Sequence, residues 1–212
     1  MKKSVLFFLF LGCYTVGWSQ AHLIVGVKGG VNSSTFEGSS VLGFYSKRTG
    51  YHIGAFTSIG LGRVAIQPEI QISNQGAILH DLSSTSPMEV INRFNYVNIP
   101  ILLKYYLLNP LYIQVGPQFG MMKNAIEITG NYKEDVLHLY NQSDVSIGLG
   151  VGLELPLGIT VEGRYNAGLT NINNDAVSNE ALRNQVYQLS IGLRFIDVGS
   201  SPLSSSRRKS SN

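Results

Sequence analysis

The chain has 212 residues, which is enough for one domain or at most two. Charged residues make up only 14% of the chain, well below the roughly 25% that is usual in soluble domains. The formal net charge is +3, with three basic residues in the last six positions (Arg207, Arg208 and Lys209), so nothing in the charge suggests a nucleic-acid partner.

The first element in chain order is a targeting segment. Lys2 and Lys3 give it a positive start, and the apolar run VLFFLFL follows. Gly17 and Ser19 have the small side chains and the spacing that a signal peptidase recognises. We therefore predict a signal peptide over residues 1–19, cleavage before Gln20 and export of the mature chain. The apolar run is too short to span a membrane as a helix.

Cys13 offers an alternative route, in which the exported chain is a lipoprotein. Phe10 and Leu11 match the other positions of such a site poorly. With cleavage before Gln20 the mature chain has no cysteine, so its fold rests on packing and backbone pairing and not on a disulfide.

Eight stretches of the mature chain alternate apolar and polar residues with the period of two that marks β-strands. They run at about 22–32, 49–61, 64–75, 94–106, 111–122, 144–155, 159–170 and 184–195. Each is longer than the 5–6 residues usual in globular proteins and close to the roughly 9–11 of a tilted membrane strand. Because Pro68 in the third stretch cannot donate a ladder bond, we expect a kink or bulge there.

The connections between these strands alternate in length. Long polar segments at about 33–48, 76–93, 123–142 and 171–183 alternate with three short turns. This is the arrangement of an outer-membrane barrel, in which an even number of strands closes antiparallel and removes the sheet edges. The prediction is an all-β fold, an eight-stranded antiparallel up-and-down transmembrane β-barrel over residues 20–196. A Ser-rich basic tail, expected to be disordered, follows at 197–212.

Aromatic residues on the apolar faces fit the same fold. They fall near the two ends of the strands, where a membrane barrel has aromatic girdles. They are Tyr51, Phe119, Tyr165 and Tyr187 toward the long connections, and Tyr105 and Phe195 toward the short turns. Ordinary strand aromatics explain each of them equally well on its own.

Charged residues also occur on the faces that would line the lumen. They are Lys28, Glu69, Lys104, Glu154, Glu162, Arg164 and Arg194. An eight-stranded barrel is just wide enough for side chains to fill, and isolated buried ions are costly. We expect the three glutamates to pair with Arg164, Arg194 or Lys104 in a structural charge network. The alternative is an ion or solute path.

No motif in the sequence indicates a catalytic, metal-binding or cofactor-binding function. The glycines at 148–152 continue as a strand and lack the spacing of a phosphate loop. The four histidines have no ligand spacing, so we predict no metal site and no cofactor. His52 and Ser58 share a face, but no acid is placed to orient the histidine and there is no nucleophile-elbow sequence. We therefore predict no catalytic residues and do not expect an enzyme.

Four stretches resemble the PorT-type outer-membrane β-barrel family of the Bacteroidetes group. They are GVKGGVN at 26–32, residues 94–120, residues 148–172 and YQLSIGLRF at 187–195. The resemblance implies an eight-stranded outer-membrane protein, in a family whose members mostly lack an assigned activity and whose namesake is implicated in type IX protein export. Such barrels commonly end at a terminal aromatic, here Phe195. The extra tail would lie in the periplasm, where its basic residues could touch anionic lipid or peptidoglycan.

The leading hypothesis is an integral outer-membrane protein with a structural or interaction role through extracellular loops such as 76–93 and 123–142. Its expected partners are outer-membrane lipid and envelope or secretion proteins, and we expect a monomer. One alternative is an accessory component of protein export or envelope assembly, and another is a narrow pore. A soluble periplasmic barrel with an apolar ligand inside requires exchanged faces, against which the inward run of Gln67, Glu69 and Gln71 argues.

Overall fold

A computed structural model of the chain describes residues 21–38, 43–81, 88–174 and 181–199. It contains nine antiparallel strands: β1 (Ala21–Glu37), β2 (Gly43–Leu61), β3 (Val64–Asp81), β4 (Met88–Leu108), β5 (Leu111–Thr129), β6 (Tyr132–Asp135), β7 (Ser143–Glu154), β8 (Ile159–Gly168) and β9 (Arg183–Gly199). Short 3-10 turns lie at Leu137–Leu139 and Pro156–Gly158. None of the helical segments described has the length and hydrophobicity to cross a membrane.

Eight of the strands form a closed ring in the order β1-β2-β3-β4-β5-β7-β8-β9, and β9 returns to pair with β1. The ring confirms the predicted eight-stranded up-and-down barrel. β6 lies outside it and pairs only with the far end of β5, from Ile126 to Thr129. The sequence did not predict this extra strand.

An apolar belt surrounds the ring. We define it as the outward side chains from Tyr51 to Leu61 of β2 and of the equivalent stretches on the other ring strands. Its most exposed members include Tyr51, Ile53, Ile72, Leu149, Leu189 and Ile191. The belt is about ten residues tall on each strand, which matches the length that a tilted strand needs to cross a bilayer. The alternation in the sequence therefore places apolar side chains outside and polar side chains inside.

Several strands continue well beyond the belt at the end away from the short turns. β1 to β5 have 17 to 21 residues, whereas β7 has 12 and β8 has 10. The predicted long loops at 33–48, 76–93 and 123–142 were therefore wrong in large part, since they contain strand ends and β6. We call the protruding parts of β2 to β6 the tall wall. Its residues are 43–49, 76–81, 88–95, 123–129 and 132–135.

Of the kink or bulge expected at Pro68, the bulge is absent from the pairing of β3 with β4. Gln67 pairs with Leu102, Pro68 with Ile101 and Gln71 with Asn98, so the register is unchanged across the proline. The missing N–H removes a ladder bond without adding a residue, and both neighbouring strands hold the register. The register of β2 on β3 shifts elsewhere, between Lys47 and His52.

The predicted domain boundaries fall mostly outside the described residues. This applies to the signal peptide at 1–19 and to the tail from residue 200 onward. β9 itself runs past Phe195 to Gly199, and Ile196, Asp197, Val198 and Gly199 pair with β1.

Candidate functional site

The centre of the lumen is crossed by an ion pair between opposite strands. The Arg164 guanidinium on β8 donates to both oxygens of Glu69 on β3, with Nη1 to Oε2 at 3.0 Å and Nη2 to Oε1 at 2.8 Å. In the ring, β3 and β8 are four places apart in both directions. The bidentate bond therefore spans the barrel and crosses its lumen at this level.

Two more charges complete this central network, which we define as Lys28, Glu69, Glu162 and Arg164. Lys28 Nζ lies 2.6 Å from Glu69 Oε1 and 2.6 Å from Glu162 Oε1, and Arg164 is 2.9 Å from Glu162. Each of the four residues is at most 4% exposed. The inward parity of their strands places them here, and mutual pairing offsets the cost of burying them.

Uncharged side chains satisfy the remaining oxygens of the two glutamates. Gln67 and Gln71 each donate to Glu69 at 2.7 Å. The Tyr112 hydroxyl donates to Glu162 at 3.2 Å. Such hydrogen bonds are what a buried carboxylate requires beyond its ion pair.

A lower network lies toward the short turns and is formed by Lys104, Tyr106, Glu154 and Arg194. Glu154 accepts from Lys104 at 2.8 Å, from Tyr106 at 2.9 Å and from Arg194 at 3.4 Å. Lys104 Nζ also lies 3.7 Å from the centre of the Tyr112 ring, close enough for a cation–π contact. Because Lys104 donates to Gln67 at 3.1 Å, the lower and central networks are continuous.

The structure thus brings together all seven charged residues that the sequence placed in the lumen. Arg194 binds a further carboxylate, Asp197, at 3.0 Å, so four cations face four carboxylates. The sequence analysis did not single out the roles of Tyr106, Tyr112 and Asp197. Both tyrosines lie at strand positions whose side chains point into the lumen, and the alternation in the sequence could have shown this. The sequence could not show at which height in the barrel each tyrosine meets a carboxylate.

An upper network of neutral groups lies on the other side of the central network. His52 Nε2 is 2.8 Å from Ser190 Oγ, and His52 Nδ1 is 2.6 Å from Asn32 Oδ1. The amide nitrogen of Asn32 donates to Ser73, so Oδ1 accepts from Nδ1–H and Nε2 accepts the Ser190 proton. Further hydrogen bonds join Ser73 to Gln75, and Gln75 to Asn184.

The Ser190–His52–Asn32 chain has the connectivity of a nucleophile, its base and the group that orients the base. Sequence reasoning paired His52 with Ser58 instead. All three members of the chain are at most 2% exposed, so a substrate has no access to the serine. The arrangement supports packing of the lumen and provides no observation in favour of catalysis.

A cluster of apolar side chains, which we call the plug, lies at the barrel end opposite the short turns. Its buried members are Phe36, Ala77, Phe94, Tyr96, Met122, Ala125, Val136, Ile172 and Leu182. Val136 and Ile172 come from the connections around β6 and after β8. Backbone bonds tie these segments together, with Asn141 N donating to Ile172 O and Ile172 N to Leu182 O, both at 2.9 Å.

Tyr140 packs on this plug outside the belt, with its ring centre 4.7 Å from that of Phe94. Burial, and then the neighbouring Tyr45, raise the pKa of Tyr140, so its hydroxyl stays neutral in the physiological range. Phe94 and Tyr96 belong to a stretch that the sequence placed in a strand, whereas Val136 and Ile172 lie in segments assigned to polar loops. The part of the chain described here holds no cluster of three or more His, Cys, Asp or Glu side chains arranged for a metal ion.

Comparisons with known proteins agree with this architecture. A family model for the outer membrane protein beta-barrel domain matches residues 18–174. Among solved structures, Neisserial surface protein A (NspA) aligns with a TM-score of 0.54 and 8% identity, over 81% of this chain and 97% of that chain. A search of curated proteins finds no match.

Two other similar structures align less closely. The outer membrane protein OprG from Pseudomonas aeruginosa has a TM-score of 0.48 and 11% identity, over 84% of this chain and 96% of that chain. Ail, the attachment invasion locus protein of Yersinia pestis, has 0.44 and 13%, over 84% and 99%. At such identities the likeness shows a shared fold alone, and among the three only the NspA alignment has a TM-score above 0.5.

Proposed function

The chain belongs to the outer membrane protein beta-barrel domain family, and we propose that it is a sealed outer-membrane barrel that acts through its extracellular surface and does not conduct solutes. The observation that carries the proposal is the bidentate Arg164–Glu69 bond across the barrel. A solute path would have to break this bond. Separating a buried ion pair leaves charges uncompensated at a cost of about 3–5 kcal/mol.

The apolar plug supports the same conclusion from the other end of the lumen. A conducting state would also have to displace Phe94 and Ile172, which are fully buried. The narrow-pore alternative therefore requires two separate rearrangements, one of the plug and one of the central network.

The tall wall is the surface that we propose for contact with partners. As in other barrels of this kind, the short turns would face the periplasm, so the tall wall would project outside the cell. It carries exposed apolar side chains beyond the belt, with Phe44 55% and Tyr132 83% exposed. Exposed apolar side chains on a rigid scaffold favour protein contacts, and envelope or secretion proteins remain the proposed class of partner.

Planar-bilayer recording tests the sealed lumen. The refolded barrel is expected to show no discrete conductance steps, and a lipid bilayer containing a known porin is the positive control. Reproducible steps that scale with the amount of inserted protein would overturn the proposal in favour of a pore.

Labelling of intact cells with a membrane-impermeant maleimide tests the orientation. Tyr132→Cys places a thiol at the tip of the tall wall, and Leu157→Cys places one in a short turn. Both native side chains are highly exposed, at 83% and 91%, so accessibility to solvent is matched. The first variant should label on intact cells and the second only after the outer membrane is permeabilised. The reverse pattern would contradict the proposed orientation.

Two finer predictions from the sequence remain proposals. Cleavage of the signal peptide before Gln20 is checked by sequencing the amino terminus of the protein from the outer membrane.

The PorT-type resemblance suggests a role in export or envelope assembly. This role is checked by deleting the gene and comparing the secreted proteins. An unchanged set of secreted proteins would remove the export role without affecting the sealed barrel.

A further inference from the structure

Two arginines stand just beyond the edge of the apolar belt at the end that carries the tall wall. Arg48 lies on β2, three residues past Tyr51, and Arg93 lies on β4, two residues past Asn95. Arg48 is half-buried and Arg93 is exposed. Among the residues that the structure describes, neither arginine forms an ion pair with a carboxylate.

Backbone contacts on β3 connect the two arginines. Arg48 Nη1 donates to the carbonyl oxygen of Gln75 on β3 at 3.0 Å. The next residue on β3, Gly76, pairs directly with Arg93. Burial, and then the positive charge of Arg93, lower the pKa of Arg48, so the two charges lie within electrostatic reach of each other.

The backbone between the two arginines carries no side chain at Gly76. Gly76 has φ of +141°, a conformation that only glycine adopts readily, and a Cβ there would collide with the backbone of Asn92. One step nearer the belt, the amides of Asn74 and Asn95 bond to each other at 2.6 Å. A stretch of backbone without a side chain, at Gly76, therefore lies between the position that Arg48 contacts and Arg93.

The nearby carboxylates do not neutralise the charges of Arg48 and Arg93. Glu89 lies farther along β4 and contacts His80 at 3.5 Å. Asp135 pairs with Ile126, which in turn pairs with Arg93, so it is two strands away. Two nearby guanidinium groups without a counter-charge repel each other. A phosphate bound between them would attract both groups and offset this repulsion.

We propose that Arg48 and Arg93 bind the phosphate monoester of an outer-leaflet lipid headgroup. The inference rests on the outer-membrane placement proposed above. Lipid headgroups lie at the edge of the apolar belt, which is the level of the two arginines. Arginine binds phosphate with two parallel hydrogen bonds. The acyl chains of such a lipid would run down the belt past Tyr51, Ile53 and Ile72, which are 61–67% exposed.

Native mass spectrometry of the refolded mature protein in dodecyl maltoside tests this inference. Phosphatidic acid and diacylglycerol with the same acyl chains differ only in the phosphate, so they isolate its contribution. The wild-type barrel should bind phosphatidic acid at least tenfold more tightly than diacylglycerol. Equal binding of the two lipids would overturn the inference.

Variants locate the binding. The double variant Arg48→Gln, Arg93→Gln should lose at least tenfold in affinity for phosphatidic acid, whereas Lys133→Gln on β6 should stay within twofold of wild type. Wild-type affinity in the double variant would overturn the assignment. If the double variant does not fold, Arg93→Gln alone replaces it, because this side chain is exposed.

Inorganic phosphate separates a lipid site from a site for free anions. At the same concentration as the lipid it should not compete, since it lacks the acyl chains that contact the belt. Full competition would overturn the assignment to a lipid. An unheated gel sample that shows no folded band for the wild-type chain would instead contradict the barrel in the membrane, which keeps the two failures distinct.

Discussion

At the scale of single residues, Arg164 has the largest share in holding the lumen together. It contacts both carboxylates of the central network, Glu69 and Glu162, and no other described cation bonds to Glu69 with two nitrogens. Lys28 also reaches both glutamates. Without Arg164, two buried negative charges would share one positive charge.

We therefore expect Arg164→Met to lower the free energy of unfolding by about 3–5 kcal/mol, the cost of leaving a buried charge without its partner. The measurement is urea unfolding of the barrel in lipid vesicles, followed by the loss of the fast-migrating band in unheated gel samples. Arg63→Met, the same substitution at an exposed short turn, should be neutral. Equal midpoints for the two variants would show that the bond across the barrel adds no stability.

Two glycines on paired strands provide a second test at this scale. A Cβ on Gly152 would collide with the Tyr112 hydroxyl and ring, whereas a Cβ on Gly163 would meet nothing within 4 Å. Gly152→Ala should displace Tyr112 from Glu162 and cost about 1–3 kcal/mol, as overpacking does. Gly163→Ala should be neutral or slightly stabilising, and the same vesicle unfolding assay compares them. The packing of Tyr112 in the lumen would be refuted if both variants unfolded at the same urea concentration.

At the scale of elements, strands were predictable where the two faces meet different surroundings. β7 and β8 hardly extend beyond the belt, and their predicted limits differ from the observed ones by at most two residues. β3, β4 and β5 leave the belt and enter a region where both faces meet polar groups or the plug. The apolar alternation is lost there, so a pattern of period two could not reveal that pairing continues to Asp81, from Met88 and to Thr129.

The plug is an element of its own, built from strand ends and connections. Phe94 is fully buried in it and stacks near Phe36, with ring centres 5.5 Å apart. Phe94→Ala should cost about 3–5 kcal/mol locally. Because the loss falls outside the belt, we expect faster cleavage of the connections by added protease on intact cells, with the ion pairs in the lumen unaffected.

The matched control is Phe119→Ala, which removes the same ring from the exposed surface of the belt. It should leave protease cleavage at the wild-type rate. Planar-bilayer recordings of Phe94→Ala should remain silent, because the central network still closes the lumen. Conductance in this variant alone would show that the plug, and not the ion pairs, seals the barrel.

At the scale of the whole molecule, the sequence predicted closure but not its details. The even number of strands and the alternating connection lengths were sufficient to predict the closed ring. The alternation of side chains along each strand was sufficient to identify all seven charged residues that face the lumen. The partners across the ring were not predictable. Whether Glu69 meets Arg164 or Lys104 depends on the stagger between β3 and β8, which no local pattern encodes. The predicted pairing accordingly left three bases open for each glutamate.

The last residues of β9 extend the pairing with β1 that closes the ring. After the register shift between Val25 and Gly26, residues 196–199 pair with residues 22–25 of β1, and Asp197 bonds to Arg194. We call the pairing of β9 with β1 the seam. A barrel that ended at its terminal aromatic residue would lack this part of the seam. Truncation after Phe195 should therefore lower the free energy of unfolding by roughly 2–6 kcal/mol, because it removes about four ladder bonds of some 0.5–1.5 kcal/mol each.

Truncation after Gly199 is the matched control, since it removes the Ser-rich basic segment and keeps the seam. Both chains would be refolded from urea into vesicles, so that recognition of the terminal residue by the assembly machinery does not affect the result. The temperature at which the folded band disappears should fall for the first truncation and stay at the wild-type value for the second. If both chains matched the wild type, the barrel would close through residues 183–195 alone. If both fell equally, the segment after Gly199 would be part of the folded barrel.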